Sequence, residues 1–309
     1  MKAITSVFTA LLLVLGHVVG IVPGRARLVY SGEELDAYTE AAKERCGDGM
    51  VVAFGGGFDK QRTFQPLIDR CKEHSGKETP KVLCVPTAAW DDPEDTEERL
   101  IWFADSGCET DTLYVSLESA EVCAEKIAWA DIIYVPGGNL PNLMKHWNDK
   151  GVSEAMVAAF DRGAALIGVS SGAMCWGESG RDDSAGTVKR VIGSFPFYGE
   201  AGGFEYIDCT GILPFCIGPH FDNFGWRTFA LDAMESNKPY VGIENGAALV
   251  FENGEYSVIS DRLTPFRTAF LICKPKGLLM VDLKTNGKLA AALDGEMSTA
   301  PAPAAESGC

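Results

Sequence analysis

From Met50 to Val169 short apolar runs alternate with amphipathic stretches, a pattern that predicts parallel strands joined by helical crossovers. The runs MVVAF (50 to 54), KVLCVP (81 to 86), TLYV (112 to 115), DIIYV (131 to 135) and ALIGV (165 to 169) read as strands. Helical periodicity lies between them, from about Lys60 to Lys72, Glu94 to Ala104, Ala120 to Ala128, and twice across 141 to 162. Glycines at 55 to 57 and 137 to 138 follow strands, where a chain leaving the carboxyl edge of such a sheet turns sharply. Upstream, Ser31-Gly-Glu-Glu34 has the form of a capping box that opens a helix through about Cys46. After about residue 205 strands and turns predominate, with Asn253-Gly254 and Asn286-Gly287 as hairpin turns. The expected fold is α/β: a flavodoxin-like three-layer sandwich with a mostly parallel central sheet and a C-terminal antiparallel or mixed extension. One domain is expected over 31–296, after a leader (1–30) and before a disordered tail (297–309) without apolar periodicity.

With 309 residues, 46% of them apolar, the chain can bury a sizeable core. Lys and Arg number 27 against 43 Asp and Glu, a net charge of −16, so the basic footprint that nucleic acid requires is missing. The expected partner is a small substrate, and a homodimer is left open. Ten cysteines are scattered without a C-x-x-C pair, and several, such as Cys84 and Cys273, fall in strand-like runs. That usage suits buried, reduced thiols and a cytoplasmic location rather than a disulfide frame or zinc. Residues 1–22 complicate this: Lys2 precedes an apolar run that fits a secretion signal, a membrane anchor or a dispensable leader. Export or anchoring through that segment is the alternative location.

The candidate chemistry centres on Ala165-Leu-Ile-Gly-Val-Ser170-Ser171-Gly172-Ala173, an apolar strand, a serine between small residues, then a helical stretch. Gly168-Val-Ser170-Ser-Gly172 fits G-x-S-x-G, which holds a nucleophile above a sheet edge, while the following helix N-terminus offers amides to an oxyanion. Gly137-Gly138-Asn139 after the neighbouring strand offers a second donor. Of four histidines, His17 lies in the leader, while His74 and His146 lie in polar surroundings. His220 ends an apolar run, where a general base for Ser170 belongs. A cysteine nucleophile of the glutamine amidotransferase kind is disfavoured, because Cys175 lies five residues past the serine.

Six motifs, in order over residues 50–255, resemble peptidase family S51, which includes dipeptidase E and cyanophycinase. They are Phe54-Gly-Gly-Gly-Phe58, Pro86-Thr-Ala-Ala-Trp90, Gly137-Gly-Asn139, Gly168-x-Ser-x-Gly-Ala173, Pro219-His-Phe221 and Gly242-Ile-Glu-Asn-Gly-Ala-Ala-Leu249. The resemblance implies a class I glutamine amidotransferase-like fold, Ser170 as nucleophile, His220 as base, amides of Gly138 and Ser171 at the oxyanion, and no cofactor or metal. Ser171 stands where the family usually has Ala. For the acid that orients His220, the resemblance nominates Asp183, at the end of a stretch reading Asp-Ser, with Glu244 as the alternative. The aspartyl substrates of the family imply a carboxylate-binding cation, for which Arg227 and then Arg181 are candidates, with Asn139 beside the oxyanion loop. A dipeptidase is the expected activity; a cyanophycinase-like isopeptidase and a non-catalytic binding module are the alternatives.

Overall fold

The structure is a computed structural model that describes residues 48–57, 64–183 and, with short interruptions, 204–282. The leader, the capping-box helix, the turn at Asn286-Gly287 and the tail lie outside the described residues.

The runs MVVAF and ALIGV form β1 (Met50–Phe54) and β5 (Ala165–Val169), which pair in parallel. Both are buried along their whole length, which is why neither alternates polar with apolar residues. Parallel strands β2 (Lys81–Cys84), β3 (Glu109–Thr112) and β4 (Ile132–Val135) extend the sheet on the β5 side. On the other side lie antiparallel β10 (Ala247–Glu252) and β11 (Glu255–Ser260), giving the order β11-β10-β1-β5-β4-β2-β3. The connection between β10 and β11 passes through Asn253 at φ 54°, a conformation Asn tolerates.

Helices α1 (Phe64–Ser75), α2 (Pro93–Asp105), α3 (Ala120–Trp129), α4 (Leu140–Asp149) and α5 (Val152–Asp161) are interleaved with these strands. Alternate strand residues enter different cores. Val51, Ala53, Ile133, Val135 and Leu166 cluster with Ile127, Leu143, Trp147 and Met156 of α3, α4 and α5. Met50, Val52, Phe54, Ile132 and Ile167 cluster with Phe64, Leu67 and Ile68 of α1 and Phe103 of α2. That division makes the three-layer sandwich, and each buried large side chain contributes roughly 1.5–3 kcal/mol of transfer free energy.

One expectation is corrected. The third strand is ETDT at 109–112 rather than TLYV: it is a sheet edge with half-exposed residues, so burial does not demand apolar side chains there. Leu113 and Val115 are apolar because they enter the core just beyond it. The expected antiparallel or mixed extension takes two forms: β10 and β11 continue the first sheet, and a second, six-stranded sheet is mixed. Its strands are β6 (Gly177–Asp182), β7 (Glu205–Asp208), β8 (Leu213–Gly218), β9 (Tyr240–Ile243), β12 (Ala269–Cys273) and β13 (Leu279–Asp282), in the order β13-β12-β9-β8-β6-β7. Ile217, Val241, Ile243 and Leu271 from this sheet join the core that contains Val51, which fixes the second sheet against the first. Cys71, Cys84, Cys108, Cys123, Cys175 and Cys216 are free and buried. Among the described residues no helix is long and apolar enough to cross a membrane.

Candidate active site

Strand β5 ends at Val169, and the chain reverses through Ser170 into the single-turn helix α6 (Ser171–Met174). Ser170 has φ 54° and ψ −113°, a strained conformation for a residue with a side chain. The surroundings over-determine it: its N–H donates to Phe54 O at 3.1 Å, and its carbonyl accepts from Ala173 N at 2.9 Å and Met174 N at 3.0 Å. The two flanking glycines are required by close approach. A Cβ on Gly168 would lie 1.9 Å from Gly172 O, and one on Gly172 would lie 2.1 Å from Val135 O. The G-x-S-x-G spacing is thus a packing condition for an elbow that folds onto itself and onto the end of β4.

His220 follows β8, two residues past its end, and β8 pairs in parallel with β9. Its Nε2 lies 2.7 Å from Ser170 Oγ. On the other side of the ring, Nδ1 lies 3.0 Å from Asn245 Oδ1 in the loop after β9. Trp226, in α7 (Phe224–Arg227), packs against the imidazole in a T-shaped contact with ring centroids 5.2 Å apart. Gly56, in the loop after β1, lies beneath the ring, and a Cβ there would be 2.5 Å from His220 Cε1. Gly246 N donates to Gly56 O at 2.8 Å, so the loops leaving β1 and β9 are tied together under the histidine. The carboxyl ends of strands from both sheets converge here, the location at which α/β folds place ligands.

Neither acid candidate meets the imidazole. Glu244 is buried, with Oε2 accepting from Thr268 N at 3.1 Å. Asp183 is half-buried just past the end of β6, and the carboxylate of its buried neighbour Asp182 faces Leu140 N at 3.4 Å. Asn245 carries the oxygen that faces Nδ1, and behind it lies Asp222, whose Oδ1 accepts from Asn245 N at 2.8 Å and Asn245 Nδ2 at 3.0 Å. Asp222 Oδ2 in turn pairs with Arg267 Nη1 at 3.0 Å. The sequence contained two signals for this chain of contacts. Asp222 stands two residues after His220, and Asn245 follows the nominated Glu244.

The oxyanion candidates lie beside Ser170. Gly137 is close enough that a Cβ on it would be 3.0 Å from Ser170 Cβ. The peptide joining Gly138 to Asn139 is clamped at both ends: Ser171 Oγ donates to Gly138 O at 2.6 Å, and Asn139 N donates to Ala88 O at 2.7 Å. The N–H groups of Gly138 and Ser171 have no hydrogen-bond partner among the described residues. Since α6 is one turn long, these are local amides and not the end of a substantial helix dipole.

Asn139 caps α4, its Oδ1 accepting from Asn142 N at 2.7 Å. Arg181 is buried: Nε pairs with Asp232 Oδ2 at 2.9 Å, the guanidinium stacks 3.7 Å from the Phe204 ring centroid, and Nη1 donates to the carbonyls of Gly225 and Trp226. It braces the segment bearing Trp226, so a substrate-binding role is not where its contacts are. Arg227 closes α7, and its side chain lies outside the described residues. The Cys175 thiol is fully buried, donates to Gly172 O at 3.0 Å, and is pushed up well above the usual thiol range by burial, the opposite of an activated nucleophile.

The chain is similar to known peptidases. The chain is 27% identical over 217 residues to an uncharacterized peptidase, YgaJ, of Bacillus subtilis (strain 168), a match covering 69% of this chain and 87% of that protein. It is 34% identical over 97 residues to peptidase E of Citrobacter koseri, covering 31% of this chain and 37% of that protein. The fold is similar to the crystal structure of a peptidase from an acI-B1 Actinobacterium, with a TM-score of 0.56 at 17% identity, covering 77% of this chain and 95% of the other. The sequence profile of peptidase family S51 matches residues 50–259, from the first residue of β1 to within one residue of the end of β11, and spans every element of the Ser170 and His220 geometry: the chain belongs to peptidase family S51.

Proposed function

We propose that this peptidase works through a serine nucleophile, with Ser170 forming an acyl-enzyme and His220 moving the proton. The observation that carries the reading is the 2.7 Å contact between Ser170 Oγ and His220 Nε2, made by a serine on a strained elbow. His220 accepts the Ser170 proton as Oγ bonds to the scissile carbonyl carbon. The oxyanion so formed takes hydrogen bonds from Gly138 N–H and Ser171 N–H. When the C–N bond breaks, His220 donates that proton to the leaving amine. Water then attacks the ester, with His220 again as base, releasing the acid and restoring Ser170. Asn245 Oδ1 accepts Nδ1–H throughout, which keeps the Nε2 lone pair directed at the serine.

Small peptides, dipeptides above all, are the proposed substrates, and the cytoplasm, where buried thiols stay reduced, is the proposed location. A preference for an aspartyl residue rests on Arg227, since Arg181 is occupied by Asp232. The test is hydrolysis of Asp-Leu, Ala-Leu, Leu-Leu and β-Asp-Arg, with fluorophosphonate labelling, for the full chain and for Ser170→Ala. Labelling and cleavage lost together in the variant support the serine mechanism, and labelling that persists in Ser170→Ala refutes it. Cleavage of β-Asp-Arg alone moves the assignment to an isopeptidase. Absence of both labelling and turnover in the native chain moves it to a binding module.

A further inference from the structure

We infer that Asp222 is a positioning residue that decides which nitrogen of His220 carries the proton, acting through Asn245. This rests on the serine–histidine reading for its catalytic consequence, though not for its structural one. A neutral amide beside a catalytic imidazole is ambiguous. With its oxygen toward Nδ1 it accepts Nδ1–H and leaves Nε2 free as a base; turned over, its NH₂ faces Nδ1, favours the Nε2–H tautomer and disables the base. An Asn245 held only by the imidazole would have no reason to choose.

Asp222 removes the choice. An ionised carboxylate only accepts, and Asp222 Oδ1 lies 3.0 Å from the second atom of the Asn245 amide and 2.8 Å from Asn245 N. If the amide turned over, its oxygen would face that carboxylate oxygen, acceptor against acceptor, in a half-buried site. Nδ2 is therefore held toward Asp222 and Oδ1 toward His220. Asp222 cannot rotate away, because Oδ2 is paired with Arg267 Nη1 at 3.0 Å, and Arg267 also lies 3.7 Å from Glu244 Oε1. Arg267 is brought there by strand pairing: Glu244 N donates to Thr268 O, and Ile243 pairs with Ala269, so the residue before Thr268 lies across from Asn245. The chain of dependence runs from Arg267 to Asp222, Asn245, His220 and Ser170.

Asp222 touches neither Ser170 nor a substrate, so its test needs a readout that a structural role would leave unmoved. Long-range ¹H–¹⁵N correlation spectra of the full chain labelled with [¹⁵N]histidine report the tautomer of each neutral imidazole. The native protein is expected to hold His220 as Nδ1–H. The near-isosteric Asp222→Asn, which puts an NH₂ against either Asn245 or Arg267, is expected to lose that preference and to slow fluorophosphonate labelling by about 10²- to 10⁴-fold. Asp222→Ala removes the acceptor from the Asn245 amide without setting a donor in its place. The amide is then free to present either of its atoms to Nδ1. This variant is expected to show both tautomers of His220 and to label more slowly than the native protein. An Nε2–H tautomer in the native protein overturns the proposal, as does Asp222→Asn that keeps Nδ1–H and labels within about threefold of native. A folded Asp222→Ala protein that keeps Nδ1–H alone overturns it as well. If Asp222→Asn fails to fold, the native and Asp222→Ala spectra decide. If the native chain neither labels nor hydrolyses peptides, the peptidase mechanism fails while the tautomer measurement still answers this question.

Discussion

Gly138→Ala is expected to disable the oxyanion site while a matched glycine elsewhere tolerates the same change. Gly138 has φ +153°, and a Cβ there would lie 2.0 Å from Ala88 O, 2.4 Å from Ala88 C and 2.9 Å from Ala89 N. Ordinary carbon–oxygen contact begins above about 3 Å, so one backbone segment must withdraw by about an ångström. The segment cannot do so cheaply, because Asn139 N is bound to Ala88 O at 2.7 Å and Gly138 O to Ser171 Oγ at 2.6 Å. Withdrawal pulls the Gly138 N–H away from the carbonyl being attacked. Loss of one such donor costs about 2.7–4 kcal/mol in the transition state, a fall of about 10²- to 10³-fold in kcat. The control is Gly76→Ala at the end of α1: φ +64°, with nothing within 4 Å of the added Cβ. That change costs about 1–2 kcal/mol of stability from backbone strain and should leave kcat unchanged. Steady-state hydrolysis of the best peptide, with thermal melts of both variants, separates the two effects. A folded Gly138→Ala protein with kcat within about threefold of native would refute the assignment of its amide to the oxyanion.

Three further outcomes are expected. Ser171→Ala removes the 2.6 Å clamp on Gly138 O but leaves the backbone N–H of that position in place, so kcat should fall by no more than about tenfold with KM little changed; a loss as large as that of Ser170→Ala would mean the nucleophile is misassigned. Iodoacetamide at pH 8 should leave Cys175 unmodified in the folded protein, since burial holds its thiol well above the usual range, and mass mapping that finds it alkylated while the enzyme is folded would contradict this. Burial pushes Glu252 up, but the hydrogen bonds from Arg70 and His74 outweigh it and hold the carboxyl below its usual value. Its stabilisation is thus present above the unfolded-state value, near 4.3, and is lost as pH falls through the folded one. Glu252→Gln should lower stability by about 1–2 kcal/mol at pH 7 and flatten its decline in acid, read by urea denaturation at pH 7 and below pH 4.

Burial on two faces made the central strands legible. MVVAF and ALIGV carry apolar side chains throughout because both faces of the sheet are covered, so their ends in the sequence and in the structure coincide. The same logic hid two others. β3 is a half-exposed edge, and β6, GESGRD, buries Ser179, Arg181 and Asp182. Arg181 is tolerated there because Asp232 and the Phe204 ring replace its water, and no period in the sequence announces such pairing. The second sheet was therefore visible only as a change of texture after residue 205.

For the site, the difference between a nominated residue and the one in contact is a single position. The backbone N–H of Glu244 donates across to Thr268 O, continuing the pairing of β9 with β12, and its side chain turns to Thr268 N. Because successive side chains of an extended chain point to opposite sides, the residue that faces His220 must be a neighbour of Glu244, and Asn245 is the one that does. A search for a triad by residue type selects carboxylates and passes over an amide. What the imidazole requires at Nδ1, however, is an acceptor of fixed direction, and negative charge can stand one residue further back if it fixes that direction. Asp222, two positions after the base, meets this condition by holding the amide nitrogen, and in doing so it converts an ambiguous side chain into a defined acceptor. The sequence feature to look for in such sites is therefore a pair, an amide after one strand and a carboxylate beside the histidine after the next, which the parallel pairing of β8 and β9 brings together.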